Sequence, residues 1–176
     1  GDFGWQTSGV AGGTPRAENT IVSSLGSGGG SPSSGSQTVS QSSVATSSPP
    51  ASPLILISEI QAGSLGDAKQ EWVELYNAGE NDVNLADWDL KKKTSSGTLG
   101  NLATNMTGTI RANGFFLIAS QEYTGSVAVD QRYTQTSQTL AGSNNSVVLY
   151  NGNGDVVDEI TYAEIIAGQS LERKAL

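Results

Sequence analysis

Apolar residues in the second half of the chain recur in short alternating runs. Within residues 71–77, Val73 and Leu75 face one side of an extended chain, while Trp72 and Tyr76 face the other. Such runs are too short for stable isolated helices and are typical of strands. The same pattern predicts strands at 54–60, 83–91, 108–110, 115–120, 146–150, 156–162 and 170–174.

Turn signals separate these runs. Asn113-Gly114 stands between 108–110 and 115–120, and an Asn-Gly-Asn-Gly-Asp sequence fills 151–155, so both places predict β-hairpins. Short strands with Gly and Asn turns, and no helical period, predict an antiparallel all-β sandwich or barrel. Residues 121–139 scatter a few apolar side chains among polar ones, and we interpret them as a long loop with one edge strand.

The first third of the chain has a different amino-acid composition. Residues 20–53 contain no charged side chain and consist mostly of Ser, Gly, Pro and Thr. So little apolar surface cannot offset the entropy of ordering, and the composition predicts a disordered, flexible linker. A short strand at 37–44 is the competing interpretation. The sequence therefore divides into residues 1–19, the linker 20–53 and a β-domain at 54–176.

Composition narrows the chemistry. The 176 residues include 17 acidic and 9 basic side chains, with no His and no Cys, for a net charge of −8. No disulfide, Cys/His zinc site, thiolate nucleophile or imidazole base can form from such a chain. The pI near 4.3 disfavours nucleic acid as a partner, and no apolar run reaches the ~20 residues of a membrane span. We expect a non-enzymatic module, and the low pI and Ser-rich linker suit an extracellular bacterial setting.

Several predicted strands carry motifs that occur together in a fixed order. The motifs are Ile-Ser-Glu-Ile at 57–60, Glu-Trp-Val-Glu-Leu-Tyr-Asn at 71–77, Val-Asn-Leu-Ala-Asp-Trp-Asp-Leu at 83–90, Gly-Thr-Ile to Phe-Leu-Ile across 108–118, Ser-Val-Val-Leu-Tyr to Asp-Val-Val-Asp across 146–158, and Gln-Ser-Leu-Glu-Arg at 169–173. The ordered set resembles the lamin tail domain, and the last motif is similar to bacterial members of that family. The resemblance implies an immunoglobulin-like antiparallel β-sandwich with a structural role in spacing, anchoring or protein–protein contact.

Residues 1–19 resemble the closing segment of such a domain. Trp5 lies near their start, and Gly-Thr-Pro-Arg-Ala-Glu-Asn fills 13–19. The resemblance implies three arrangements: the segment belongs to a preceding repeat of a tandem array, folds back to complete its own domain, or donates a strand to a neighbouring copy. Because an incomplete sandwich exposes a strand edge that attracts strands, and because the linker is long enough for each route, all three stay open.

The core of the domain is expected to form from the inward-facing apolar residues of the predicted strands. The expected core residues are Ile57, Ile60, Val73, Leu75, Leu85, Trp88, Leu90, Phe116, Ile118, Val148 and Val157. Trp88 is the largest of them, so we expect its indole to dominate the packing between the two layers.

Two sets of residues are candidate binding sites. Trp72 and Tyr76 face away from the apolar side of their strand, so we expect an exposed aromatic surface on which a sugar or another ligand could stack. Asp82, Asp87 and Asp89 form an oxygen-rich set that could hold a peripheral Ca²⁺. No other cofactor is expected.

Two charged sets have structural interpretations. Glu71 and Glu74 flank Trp72, but residues three apart in a strand point to opposite faces, so we expect solvated side chains and no catalytic pair. Residues 91–93 are all lysine at the end of a predicted strand, where lysines commonly protect a sheet edge.

We therefore expect a non-catalytic structural or protein-interaction module of a larger secreted or cell-surface bacterial protein, with a protein or a neighbouring repeat as its partner. The alternative is a carbohydrate- or calcium-dependent binding module attached to a secreted hydrolase. An enzyme would have to act through carboxylates alone, since the chain has no His and no Cys.

Overall fold

The computed structural model describes residues 4–8, 11–13, 15–16, 54–136 and 139–174. Within these residues all regular structure is β-strand, and there is no helix that could cross a lipid bilayer. The strands are, in chain order, β1 (Trp5–Thr7), β2 (Ile55–Ser64), β3 (Asp67–Asn77), β4 (Val83–Asn84), β5 (Asp89–Thr94), β6 (Leu99–Ala103), β7 (Thr109–Ile110), β8 (Phe115–Ala119), β9 (Gln131–Arg132), β10 (Ser143–Tyr150), β11 (Val156–Glu164) and β12 (Leu171–Arg173).

The strands form two main sheets that enclose one core. One sheet has the order β1-β12-β2-β3-β8-β9, the other has the order β11-β10-β5-β6, and β4 and β7 form a small third sheet. All pairs are antiparallel except β8 with β9. Buried apolar side chains of both main sheets belong to a single cluster. The expected fold class, an immunoglobulin-like all-β sandwich, is confirmed. The linker expected at 20–53 and its competing strand at 37–44 lie outside the described residues.

The alternation of β3 places apolar side chains on both of its faces. Val73 and Leu75 point into the core between the sheets, as expected from the sequence. On the outer face, Trp72 packs with Leu117 and Tyr123 in a second, smaller cluster. The six-stranded sheet is therefore covered on both faces at β3, whereas antiparallel sheets commonly leave one face in contact with solvent.

The expected core residues are nearly all buried. Nine of the eleven belong to the cluster between the sheets, and Trp88 among them is 5% exposed. Val148 is also buried, but it lies outside that cluster, because β10 directs its neighbours Val147 and Leu149 inward instead. Val157 is half-buried and packs against the core.

The strand expected at 83–91 is interrupted. β4 ends at Asn84 and pairs with β7, whereas β5 starts at Asp89 and joins the four-stranded sheet. Between them, Asp87 adopts a φ of 64° and the Trp88 N–H donates to the Leu85 carbonyl at 3.1 Å. This turn lets Leu85 and Trp88, three residues apart, both reach the core.

Of the two expected hairpins, one is confirmed and one is wrong. Residues 151–155 connect β10 to β11, which pair with each other. Residues 111–114 also form a tight turn, with Asn113 at a φ of 53° and the Gly114 N–H donating to the Arg111 carbonyl at 2.9 Å. However, β7 pairs with β4 and β8 pairs with β3, so this turn connects two different sheets.

Residues 121–139 contain a short edge strand, β9, as expected from the sequence; it adds to β8 in parallel through Ile118 and Ala119. Strand β6 was not anticipated. Its residues Leu99, Gly100 and Asn101 show no apolar alternation, and only Leu102 and Ala103 enter the core. Its pairing with β5 depends on long-range contacts that the local pattern does not record.

Candidate interaction site

The described residues between 4 and 16, here called the N-terminal segment, dock on the sandwich of their own chain. β1 pairs antiparallel with β12, with Trp5 opposite Arg173. Backbone hydrogen bonds extend the ladder at both ends, because the Lys174 N–H donates to the Gly4 carbonyl and the Ser8 N–H donates to the Ser170 carbonyl, each at 2.9 Å. The segment thus becomes the outermost strand of the six-stranded sheet.

Beneath β1, an ion pair replaces a missing strand partner. β12 pairs with β2 only at Glu59 and Ile60, so the backbone of Ile57 lies beyond the ladder. Arg173 Nε donates to the Ile57 carbonyl at 2.9 Å, and the Ile57 N–H donates to Asp158 Oδ2 at 2.8 Å. The two side chains also pair at 2.6 Å, and both are largely buried. Buried backbone groups require such partners, so this pair closes the side of the sandwich.

Trp5 covers that ion pair. Its ring lies 4.9 Å from the guanidinium carbon of Arg173, within the range of a cation–π contact. The indole also packs against the edge of the main core. Docking of the N-terminal segment therefore shields the contacts that Arg173 makes with Asp158 and Ile57.

A second contact lies on the outer face of the sheet, at Gly13. This residue has a φ of +76°, and a Cβ placed on it would lie 2.7 Å from both Ser170 Oγ and Trp72 Cζ2, and closer still to Glu59 Oε1. Real Cβ atoms do not approach other atoms so closely, so only glycine fits both the space and the backbone conformation. We call this contact the Gly13 pocket.

Arg16 anchors the end of the N-terminal segment. Its backbone N–H donates to Glu74 Oε2, and its guanidinium pairs with Asp130. The guanidinium also donates to the Ala128 carbonyl at 3.1 Å. Asp130 is itself held by the Leu117 N–H at 2.8 Å. Arg16 therefore bridges β3 and the loop before β9.

Two carboxylates lie beneath this anchor. Glu59 and Glu74 are cross-strand partners in β2 and β3, and they are 0% and 1% exposed. Glu59 accepts from Ser170 Oγ, and Glu74 Oε1 accepts from Ser58 Oγ at 2.7 Å. Burial raises the pKa of Glu74 to about 7, although the bonds from the Arg16 N–H and Ser58 lower it in part. The expectation that Glu74 is solvated is therefore wrong.

Glu71 is buried as well, on the opposite face. It points into the sandwich, is 0% exposed, and accepts the Leu140 N–H. Burial raises its pKa to about 7, and the Leu140 hydrogen bond and the charge of Lys92 lower the pKa in part. Glu71 Oε1 and the Tyr133 hydroxyl have no hydrogen-bond partner among the described residues. Glu71 and Glu74 face opposite sides of β3, so they do not form a carboxylate pair for glycoside hydrolysis.

The expected aromatic surface is not exposed. Trp72 is 0% exposed, and Tyr123, Val127 and Val129 of the following loop pack against its outer-face cluster. Tyr76 is half-buried and its ring tilts against Phe115 at 4.9 Å. Covered in this way, Trp72 cannot act as a stacking platform for a sugar.

The three aspartates proposed for calcium do not converge. Asp82 accepts the Ala112 N–H and Asp89 accepts the Asn105 N–H, each at 3.0 Å. Asp87 lies in the turn after β4. In the described part of the chain, no three acidic side chains are grouped so that they could hold a metal ion. Asp82 and Asp89 are hydrogen-bond acceptors for loop backbone, and the three aspartates do not form the expected site.

The expectation that lysines 91–93 protect a sheet edge is also wrong. They lie in β5, which has β10 on one side and β6 on the other. Lys92 Nζ donates to the Thr139 carbonyl at 2.6 Å, and Lys93 pairs with Glu159. Lys91 pairs with Asp89 of the same strand at 3.2 Å and lies 4.9 Å from the centre of the Tyr150 ring, so all three side chains make contacts within the sandwich.

Sequence reasoning missed most of the docking residues. Asp158 and Ser170 lie within the motifs at 146–158 and 169–173, but those motifs give neither residue a docking role, and Asp130 lies in no motif. Gly13 and Arg16 belong to the segment that resembles a closing motif, and this resemblance was the one signal that the segment could dock on a sandwich.

This arrangement defines a class: a two-sheet β-sandwich with an acceptor surface for an extended segment and, among its described residues, no group of three acidic side chains that could hold a metal ion. A sequence model of the Lamin Tail Domain family matches residues 48–164, about two thirds of the chain. The chain therefore belongs to the lamin tail domain family, whose members are immunoglobulin-like, non-enzymatic structural and interaction modules. No curated protein matches the chain. The family match includes β2 to β11 and leaves out both β1 and β12.

Proposed function

We propose that this chain is a non-catalytic protein-interaction module of a larger secreted or cell-surface bacterial protein, in which it spaces or anchors neighbouring domains. One observation carries the proposal: the sandwich binds an extended peptide segment through a strand edge and a side-chain pocket. Strand addition is a common mode of peptide recognition, in which backbone hydrogen bonds supply affinity and pockets supply specificity. Here β12 is the strand edge that binds the segment, and the Gly13 pocket gives specificity for a glycine at that position of the segment.

The composition supports the proposed location. A net charge of −8 keeps such a module soluble at high density, and the Ser-, Gly- and Pro-rich sequence at 20–53 is typical of tethers between extracellular domains. An acceptor surface of this kind would also suit a tandem arrangement, in which a neighbouring repeat would present the same segment.

Surface exposure is tested by labelling intact cells of the bacterium that encodes the chain with an antibody raised against the purified protein. We expect labelling before lysis, and removal of the label by added protease. Labelling that requires lysis would overturn the proposed location.

The binding class is tested by calorimetry of the purified chain with CaCl₂ and with soluble polysaccharides, each with and without the other. Because Trp72 is covered and the three aspartates are apart, we expect no saturable heat from either ligand. A saturable polysaccharide or calcium isotherm would instead support a carbohydrate- or calcium-dependent module.

A further inference from the structure

We propose that the acceptor surface of one copy binds the N-terminal segment of a second copy through the same contacts that it makes with its own. This inference rests on the proposed function and names the partner as another molecule of this chain. The acceptor surface is defined by Glu59, Trp72, Glu74, Asp130, Ser170 and Arg173.

The first support is that donor and acceptor are separate parts of the sequence. Every acceptor residue lies between 59 and 173, and every donor residue lies between 4 and 16. A Gly- and Ser-rich sequence as long as residues 17–53 spans roughly 30–37 Å as a random coil. A fully extended strand of ten residues, such as β2, is about 33 Å long. Residues 17–53 are therefore long enough for the N-terminal segment to dock on its own sandwich, and also long enough for it to dock on a neighbouring copy.

The second support is that the contacts select this segment over other extended peptides. Trp5 lies over the Arg173 guanidinium, Gly13 fills a space that admits no Cβ, and Arg16 pairs with Asp130. A competing peptide would need an aromatic residue, a glycine eight positions later and an arginine three positions after that. The acidic surface beneath the glycine and the arginine favours a basic donor, which Arg16 supplies.

Mass action decides when exchange occurs. A Gly- and Ser-rich tether as long as residues 17–53 would give a segment an effective concentration near its own sandwich of about a millimolar. Free chains at micromolar concentration therefore keep their own segment docked, whereas neighbours packed at millimolar local concentration compete on equal terms. A binding test must first remove the internal competitor.

The test uses the full chain with Gly13→Val as the receptor, because the added side chain cannot enter the Gly13 pocket and leaves the acceptor residues unchanged. The ligand is a fluorescent synthetic peptide of residues 1–19, and binding is measured by anisotropy. Matched peptides carry Gly13→Val or Arg16→Glu, and the wild-type chain is the control receptor.

We expect the wild-type peptide to bind the Gly13→Val receptor at least tenfold more tightly than either altered peptide. We also expect it to bind that receptor at least tenfold more tightly than the wild-type chain, whose surface is already occupied. Absence of binding, or equal binding of all three peptides, would overturn the proposal, and so would equal binding to the two receptors. If Gly13→Val does not fold, a Trp5→Ala, Arg16→Glu chain replaces it. Trp5 is half-buried and Arg16 is exposed, so the two substitutions leave the core between the sheets intact.

The two proposals fail in different ways. Loss of peptide binding leaves surface labelling of intact cells unaffected and removes only the second copy as partner. Loss of surface labelling leaves the measured peptide affinity intact and removes only the proposed location.

Discussion

At the scale of single residues, the two buried glutamates of β3 make the stability of the fold depend on pH. Glu71 and Glu74 face opposite sides of the sheet, yet burial raises the pKa of both from 4.5 to about 7. Between these pH values the folded chain keeps protons that the unfolded chain has released. The free energy of unfolding is therefore highest below pH 4.5, so far as these two groups are concerned, and falls as the pH rises toward 7.

Glu71→Gln should remove half of this dependence. The amide oxygen still accepts the Leu140 N–H, while the ionisable group is gone. Urea unfolding at pH 5 and pH 8 should show that the wild-type chain loses up to about 3 kcal/mol more than the variant on going to pH 8. Glu122→Gln is the matched control, because Glu122 lies at the surface in a pair with Lys69. Equal pH dependence of wild type and Glu71→Gln would contradict this account of Glu71.

Sequence alternation predicted the directions in which the β3 side chains point, but it did not predict that Trp72 and Glu74 are buried. Val73 and Leu75 face inward and Trp72 faces outward, as a period of two requires. Burial of Trp72 and Glu74 comes from residues far away in sequence, namely the loop at 123–130 and the N-terminal segment. The residue pattern of a single strand does not show which distant residues will pack over that strand.

At the scale of elements, the side of the sandwich depends on Arg173, which links β12, β2, β11 and β1. Its guanidinium contacts the Ile57 carbonyl, the Asp158 carboxylate and the Trp5 ring together. Lysine has no planar fork and cannot make all three contacts from one position.

Arg173→Lys should therefore destabilise the fold by about 1–3 kcal/mol, since it weakens a buried charge-assisted network. Thermal unfolding followed by circular dichroism measures the effect. Arg111→Lys, at an exposed turn, is the control and should change stability by no more than about 0.5 kcal/mol. If the two variants unfolded at the same temperature, the network would have no stabilising role.

The elements themselves were predictable to different degrees. The β10–β11 hairpin follows from its Asn-Gly turn, whereas the break between β4 and β5 was missed although the sequence contains a sign of it. Leu85 and Trp88 are both core residues, and a spacing of three does not fit one continuous strand. The turn at Asp87 ends β4 and directs the chain into β5 of another sheet, so both Leu85 and Trp88 point into the core.

At the scale of the whole molecule, the sandwich followed from sequence but the docking of its N-terminal segment did not. Arg16 and Asp130 are separated by 114 positions, and no periodicity connects residues that far apart. The resemblance of residues 1–19 to a closing segment allowed three arrangements, and the sequence does not choose between them. In the structure, the segment completes the sheet of its own chain.

Deletion of residues 1–19 should show what that docking contributes. The main core lies between the two sheets and keeps all of its fully buried residues, so we expect the sandwich to stay folded. Loss of the β1 ladder, the half-buried Trp5 and the Arg16 anchor should lower the free energy of unfolding by about 2–4 kcal/mol. With Gly13 removed, the edge of Trp72 becomes accessible to water, and tryptophan emission should shift to longer wavelength.

Trp72 and Trp88 are the only tryptophans left after the deletion, and Trp88 lies inside the core. Trp72→Phe within the deleted chain should therefore abolish the shift. The pH dependence should weaken as well, because solvent that reaches Glu74 brings its pKa back toward 4.5. A deletion variant with unchanged emission, stability and pH dependence would mean that the N-terminal segment does not cover the outer face in solution.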